Sequence, residues 1–169
     1  MKERVKMGFP AVYNGESRLL ILGSFPSVQS RQIDFYYGNK QNRFWPTVCG
    51  FFGEIVPRTK EEKIKFLFRR KIALWDMVTE CEIEGSKDSS IEHAVTADLE
   101  KIFKESKIEK VLLNGALAYR LFIEKYGEIA VPYRKMQSTS PANPRFTKEE
   151  WWRELNDVYG TGFPAEEKL

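Results

Sequence analysis

Apolar residues fall along this chain in two rhythms. Short unbroken runs at 19–22 (Leu-Leu-Ile-Leu), 72–75 (Ile-Ala-Leu-Trp) and 111–113 (Val-Leu-Leu) read as strands buried on both faces, as in a parallel sheet. A fourth strand is expected near 133–137. Between these runs the spacing lengthens to three and four residues. Asn42 to Phe52 reads as a helix. Ile64, Leu67 and Phe68 form a stripe behind a capping box made by Thr59 and Glu62. Leu99, Ile102 and Phe103 mark a helix over 97–106, and Leu117, Leu121 and Phe122 mark one over 116–126 that stops at Gly127. A last helix is expected behind Thr147 and Glu150, carrying Trp151, Trp152 and Leu155. The segment 76–92 reads as a long polar loop, and the tail from about 160 is expected to fray.

Strands alternating with helices at this spacing predict a three-layer α/β/α sandwich around a short, mainly parallel four-stranded sheet. Neither a repeat nor a linker interrupts the pattern, so one domain with its core over about 18–158 is expected. Ligands of such folds bind at the carboxyl ends of the strands. Those ends are 23–30, 76–90, Asn114 and 138–144.

Composition narrows the chemistry. The chain has 169 residues, 42% hydrophobic and 30% charged, which suits a packed core. Its 27 Lys and Arg against 24 Asp and Glu leave a net +3, too mild to argue for nucleic acid alone, but compatible with positive charge gathered along one groove. No stretch approaches the roughly 18 apolar residues of a membrane span. The start, Met-Lys-Glu-Arg-Val-Lys, lacks the apolar core of a signal peptide, so a cytoplasmic protein is expected. Cys49 and Cys81 have no CxxC spacing and are expected to be buried thiols. With His93 the sole imidazole, a metal site is not expected.

The strand-end loops hold small hydroxyls, Asn and Tyr rather than strong acids and bases. Phosphate-binding GxxxxGK and GxGxxG patterns are missing. Ser24 follows a strand but lacks GxSxG around it, and only His93 could serve it as a base. Asp76 and Asp88 flank a loop, where they either pair as catalytic carboxylates or merely fix the loop. Asn amides offer a donor and an acceptor to a base edge or a water. Tyr36 and Tyr37 can stack on a planar ring, a contact worth about 1–3 kcal/mol per base. Hydroxyls around Ser138, Thr139 and Ser140 can take phosphates. Such a set fits an enzyme that extrudes a base.

At this point a resemblance carries further. Gly23-Ser24-Phe25-Pro26-Ser27, with Tyr36-Tyr37-Gly38-Asn39-Lys40-Gln41-Asn42-Arg43-Phe44-Trp45, resembles the first motif region of the uracil-DNA glycosylase superfamily, in particular its hypoxanthine-DNA (deoxyinosine) glycosylase branch. Ala73–Asp76, Gly85–Ile91, Asn114-Gly115 and Ser138–Ala142 resemble that branch in the same order, so the likeness spans about 18–155. It implies a cofactor-free, metal-free hydrolase that flips a deaminated base (hypoxanthine first, uracil or xanthine as well) out of double-stranded or single-stranded DNA. The enzyme would leave an abasic site and work as a monomer. Mismatch-specific relatives carry a water-positioning Asn where Phe25 stands here, whereas the hypoxanthine branch is similar in placing it after the double Tyr, at Asn39.

The same matching puts Tyr37 on the base and Asn114 on its polar edge, unless Asn114 caps the following helix. Ser24 and Phe25 would meet the departing base through backbone N–H groups. Ser86, Ser138, Ser140 and Pro141 would grip the DNA backbone, with Asn143, Pro144 and Arg145 as wedge candidates. Asn42 is expected to cap a helix, and Phe44 with Trp45 to pack in the core. Two other readings stay open: an idle member that binds damaged or mismatched DNA, and an α/β enzyme acting on free nucleosides or nucleotides.

Overall fold

Successive side chains of a strand point to opposite faces, so an unbroken apolar run calls for two cores, and this protein has both. The computed structural model describes residues 2–5 and 9–160. In chain order these form β1 (Glu3–Val5), β2 (Leu19–Gly23), α1 (Val28–Ile33), α2 (Phe44–Phe51), α3 (Lys60–Arg69), β3 (Ile72–Asp76), β4 (Val78–Ile83), a 3₁₀ turn (Asp88–Ser90), β5 (Glu92–Thr96), α4 (Glu100–Glu105), β6 (Lys110–Asn114), α5 (Ala116–Tyr126), β7 (Tyr133–Met136) and α6 (Glu149–Tyr159). The tail from 161 onward lies outside the described residues.

Four strands pair in parallel in the order β3-β2-β6-β7, as the apolar runs predict. Leu19 and Ile21 enter the core beneath α2, α3 and α6, while Leu20 and Leu22 enter the one beneath α4 and α5. β3 and β6 divide likewise: Ile72, Leu74 and Leu112 go one way, Ala73, Val111 and Leu113 the other. Register sets Gly23 beside Asp76, and Asn114 ends the next strand. The outer edge of β3 is closed by the segment before β2. Val12 and Leu74 exchange two backbone hydrogen bonds of 2.9 Å, and the Trp75 indole donates to the Phe9 carbonyl.

The polar segment after Asp76 is not a loop. β3 passes through the single residue Met77 into β4, which lies between β1 and β5 in an antiparallel sheet of three strands. Two register shifts against β5 break the alternation, and β5 is exposed over most of its length, so this sheet leaves almost no periodic signal. Its inner face holds a small core of Val78, Cys81, Ile83 and Phe25. Cys49 and Cys81 are both free and buried.

Helix ends explain the other departures. Thr59 does cap α3, its hydroxyl accepting from Glu62 N–H at 3.1 Å. Thr147 does not cap α6. Glu150 instead accepts from Gln137 N–H, while the Gln137 side chain takes Thr147 N–H and its carbonyl takes the Trp151 indole N–H. The expected box is replaced by a clamp between the end of β7 and α6. A short helix, α1, also interrupts the expected loop after β2, capped by the Ser27 hydroxyl on Ser30 N–H. Among the described residues no helix is long and apolar enough to cross a membrane.

Trp151 is wholly buried and makes the indole bond just described, so Trp151→Ala should cost about 3–5 kcal/mol of stability in urea unfolding.

Candidate active site

A cleft of about 650 Å³ opens at the carboxyl ends of the parallel strands. Its floor is the row Gly23, Asp76 and Asn114; one wall is the loop from Ser24 through α1 to Asn42, another the 138–143 loop, and the rim is Ser86–Ser89. Of the residues implied by the resemblance, most meet here. Pro144 and Arg145 stand exposed just beyond it.

Asn39 lies on the wall, half-buried. Its Oδ1 accepts from Gln41 N–H at 2.8 Å, which fixes the amide in an Asx turn. An amide oxygen has two lone pairs, so Oδ1 can also hold a water. Asn42 falls one residue short of the expected cap, since Arg43 holds the N-cap of α2 with no side-chain bond, but its Oδ1 accepts from Phe44 N–H at 2.8 Å and so still serves the first helical amide.

The two tyrosines separate. Tyr36 is 2% exposed and its hydroxyl donates to the Pro10 carbonyl at 2.9 Å, so it is a core residue rather than a stacking platform. Tyr37 adopts a left-handed backbone, φ 55°, which turns its ring toward the cleft. Phe44 stacks on one face at 4.1 Å between centroids, leaving only the other for a ligand. The Tyr37 hydroxyl is buried, facing the Asn114 amide without closing a hydrogen bond, and burial pushes its pKa well up.

Asn114 is not the cap of α5, a place taken by Gly115 at φ 100°. Its amide donates to the Thr139 hydroxyl and accepts from Thr139 N–H, both at 3.0 Å. It therefore anchors the wall loop to the sheet, and retains one N–H and one lone pair for a base. The Phe25 side chain packs into the small third core, with Arg31 5.7 Å over its ring, so only its backbone is available to a ligand.

Ser24 donates to both oxygens of Asp88 at 2.9 Å. His93 sits on β5, exposed and 3.2 Å from Glu82, so no Ser–His pair forms. Asp76 and Asp88 both border the cleft, but differently: Asp88 takes the serine on the exposed rim, whereas Asp76 is buried with Oδ2 unpartnered.

The hydroxyls of Ser86, Ser138 and Ser140 accept from Val28, Ser140 and Ala142 N–H respectively. Each thus keeps its proton to donate to an anionic oxygen. Positive charge does not gather in this cleft: among the lining residues Lys87 is the one cation, against two aspartates. The two guanidiniums behind the walls are committed to carbonyls. Arg31 donates to Pro26 and Gly85; Arg43 donates to Ser140 and Asn143, and stacks on Phe146 at 4.8 Å. The composition of the loops gave no hint of either bond.

No protein-family model matches the chain. It is 36% identical over 155 residues to the hypoxanthine DNA glycosylase of Methanosarcina acetivorans, covering 87% of this chain and 96% of that one. It is 35% identical over 113 residues to the hypoxanthine DNA glycosylase of Methanosarcina barkeri, covering 65% and 71%. The fold matches a solution NMR structure from M. acetivorans, described as a candidate uracil DNA glycosylase. That match has a TM-score of 0.77 and 33% identity, over 94% of this chain and 99% of that one. The cleft and the sheet that carries it define a glycosylase of the uracil-DNA type, and the chain belongs within that superfamily to the hypoxanthine-DNA glycosylase family.

Arg43 joins the Asn39 wall to the 138–143 loop. Arg43→Ala should speed amide hydrogen exchange across 138–145 by at least about tenfold while the parallel strands keep their protection, since each charged hydrogen bond is worth about 1.5–3 kcal/mol. Arg43→Lys should not restore the loop, because an ammonium cannot serve the Ser140 and Asn143 carbonyls while also reaching the Thr139 carbonyl through a second nitrogen and stacking flat on Phe146.

Proposed function

We propose that this protein excises a deaminated base from DNA, hypoxanthine first and uracil or xanthine as well, by hydrolysing the N-glycosidic bond. The observation that carries this reading is the gathering of Asn39, Tyr37 and the serine-rich 138–143 loop around one cleft, in a chain of this family.

The target nucleotide leaves the stack and its base enters over the floor, against the open face of Tyr37. Serine hydroxyls of the rim and wall donate to flanking phosphates next to Pro141, and the turn of Asn143, Pro144 and Arg145 fills the space in the duplex. As the glycosidic bond lengthens, the sugar gains oxocarbenium character. The base departs with the electron pair of that bond as an anion, met by the backbone N–H groups of Ser24 and Phe25. A water on Asn39 Oδ1 adds to C1′, and the proton it sheds once the new C–O bond has formed neutralises that base. An amide is too weak a base to take that proton early. The barrier is therefore lowered chiefly by placement and by fixed dipoles. Lys87 stands exposed on the rim, paired at 3.1 Å with Glu84, which supports simple hydrolysis to an abasic site over attack by an amine.

The test uses duplexes carrying a single hypoxanthine, uracil or xanthine, with alkali to reveal abasic sites. Wild type should yield abasic product on the hypoxanthine duplex, and Asn39→Ala should lower the single-turnover rate by on the order of 10²-fold or more. An inert wild type would overturn the assignment; an unimpaired Asn39→Ala would overturn the role of Asn39.

A further inference from the structure

One group on the cleft floor has no part in the steps above. Asp76 ends β3, is 5% exposed, and its Oδ2 has no hydrogen-bond partner. Beside it the Tyr37 hydroxyl is buried and unpartnered too. Buried polar atoms are nearly always satisfied, so two orphans side by side at the floor of a cleft mark a place where a ligand completes the bonding.

The space has been kept open for this. A Cβ built on Gly23 would lie 2.5 Å from Asp76 Oδ1 and 3.1 Å from the Tyr37 hydroxyl, so any larger residue would displace one or the other. Nor, among the described residues, does a cation face the carboxyl. The titratable groups around it are Asp88 from the rim and Tyr36 and Tyr37 from the wall, and Tyr36 is already bonded to the Pro10 carbonyl. Burial, and then the charge of Asp88, push the Asp76 pKa up to about 7. Near neutrality much of it is a carboxylic acid, with one donor and one acceptor.

We propose that Asp76, with the Tyr37 hydroxyl beside it, reads the lactam edge of the extruded base, the –CO–NH– unit that deamination leaves in the ring. The proposal rests on the glycosylase reading above. The acid O–H donates to the ring carbonyl and its C=O accepts the ring N–H, so one pair of contacts serves hypoxanthine, xanthine and uracil alike. Once ionised, the carboxylate still takes the N–H but repels the carbonyl and pays the cost of a buried charge.

Protonation therefore becomes part of recognition, with a definite sign. Asp76 holds its proton below about pH 7 and loses it above. The single-turnover rate of wild type on a hypoxanthine duplex should fall by up to about tenfold per pH unit above that value. Asp76→Asn supplies a donor and an acceptor that do not titrate, so its rate, though lower at acid pH, should be flat from pH 6 to 8.5. Asp76→Ala should lose on the order of 10²-fold below pH 7, with the gap to wild type closing as pH rises, yet bind a duplex with a preformed abasic site as tightly as wild type, because no base is left to read.

Stability gives a second readout. The folded pKa lies above the unfolded one, so the contribution of Asp76 to stability falls as pH rises from about 4 to about 7 and then levels off, adding a downward slope to the wild-type stability curve over that range. Asp76→Asn should remove that slope. If wild type cuts but Asp76→Asn follows the same pH decline, or Asp76→Ala cuts as fast as wild type at pH 6, the role given to Asp76 is overturned. A wild type that cuts no duplex overturns instead the activity on which it rests.

Discussion

Where β2 ends there is room for a hydrogen atom and nothing more. The carbonyl of Gly23 is held by Met77 N–H at 2.8 Å as β3 turns out of one sheet into the next, and the Asp76 carboxyl and Tyr37 hydroxyl close over its α-carbon. This contact depends on parallel pairing in register, which needs apolar side chains on both faces of β2. The two cores, the crossing between the sheets and the floor of the cleft are thus a single arrangement seen at different distances.

Around that floor the cleft is built by local commitments of polar groups. Asn39 is oriented by Gln41, Asn42 by the start of α2, and Asn114 by Thr139; the arginines hold carbonyls. Little is left to rearrange when a ligand arrives, which is what placement-driven hydrolysis of a weak bond requires. The mild net charge agrees with this economy, since the contacts expected with DNA come from hydroxyls and backbone turns at least as much as from lysines.

The parallel sheet was legible because three of its strands are written in unbroken apolar runs, and helix starts at Asn42 and Thr59 because an amide or hydroxyl stands just before each helix. The antiparallel sheet was hidden by its bulges and by β5, which buries almost nothing. In the site, Asn39 and the 138–144 loop followed from the resemblance. Tyr36 and Tyr37 look alike in sequence, and only the positive φ of Tyr37 sends them to different surroundings. Asp76 was visible as a carboxylate at a strand end, yet its isolation was not, because the neighbouring hydroxyl of Ser24 bonds Asp88, distant along the chain, and nothing reaches Asp76 Oδ2.

The two sheets also differ in what it takes to open them. The central parallel strands β2 and β6 are sealed under helices on both faces, so their amides should be released only with the whole molecule. The antiparallel sheet ends in β1, three residues long and held by exposed pairs such as Lys2–Glu92 and Arg4–Glu82. Exposed pairs of this kind contribute little, so this edge can breathe at small cost. The rim at 86–89 sits on the breathing side and the floor on the sealed side. A nucleotide entering the cleft thus passes a compliant lip before it meets a rigid seat, and the threshold can admit shapes that the seat then refuses.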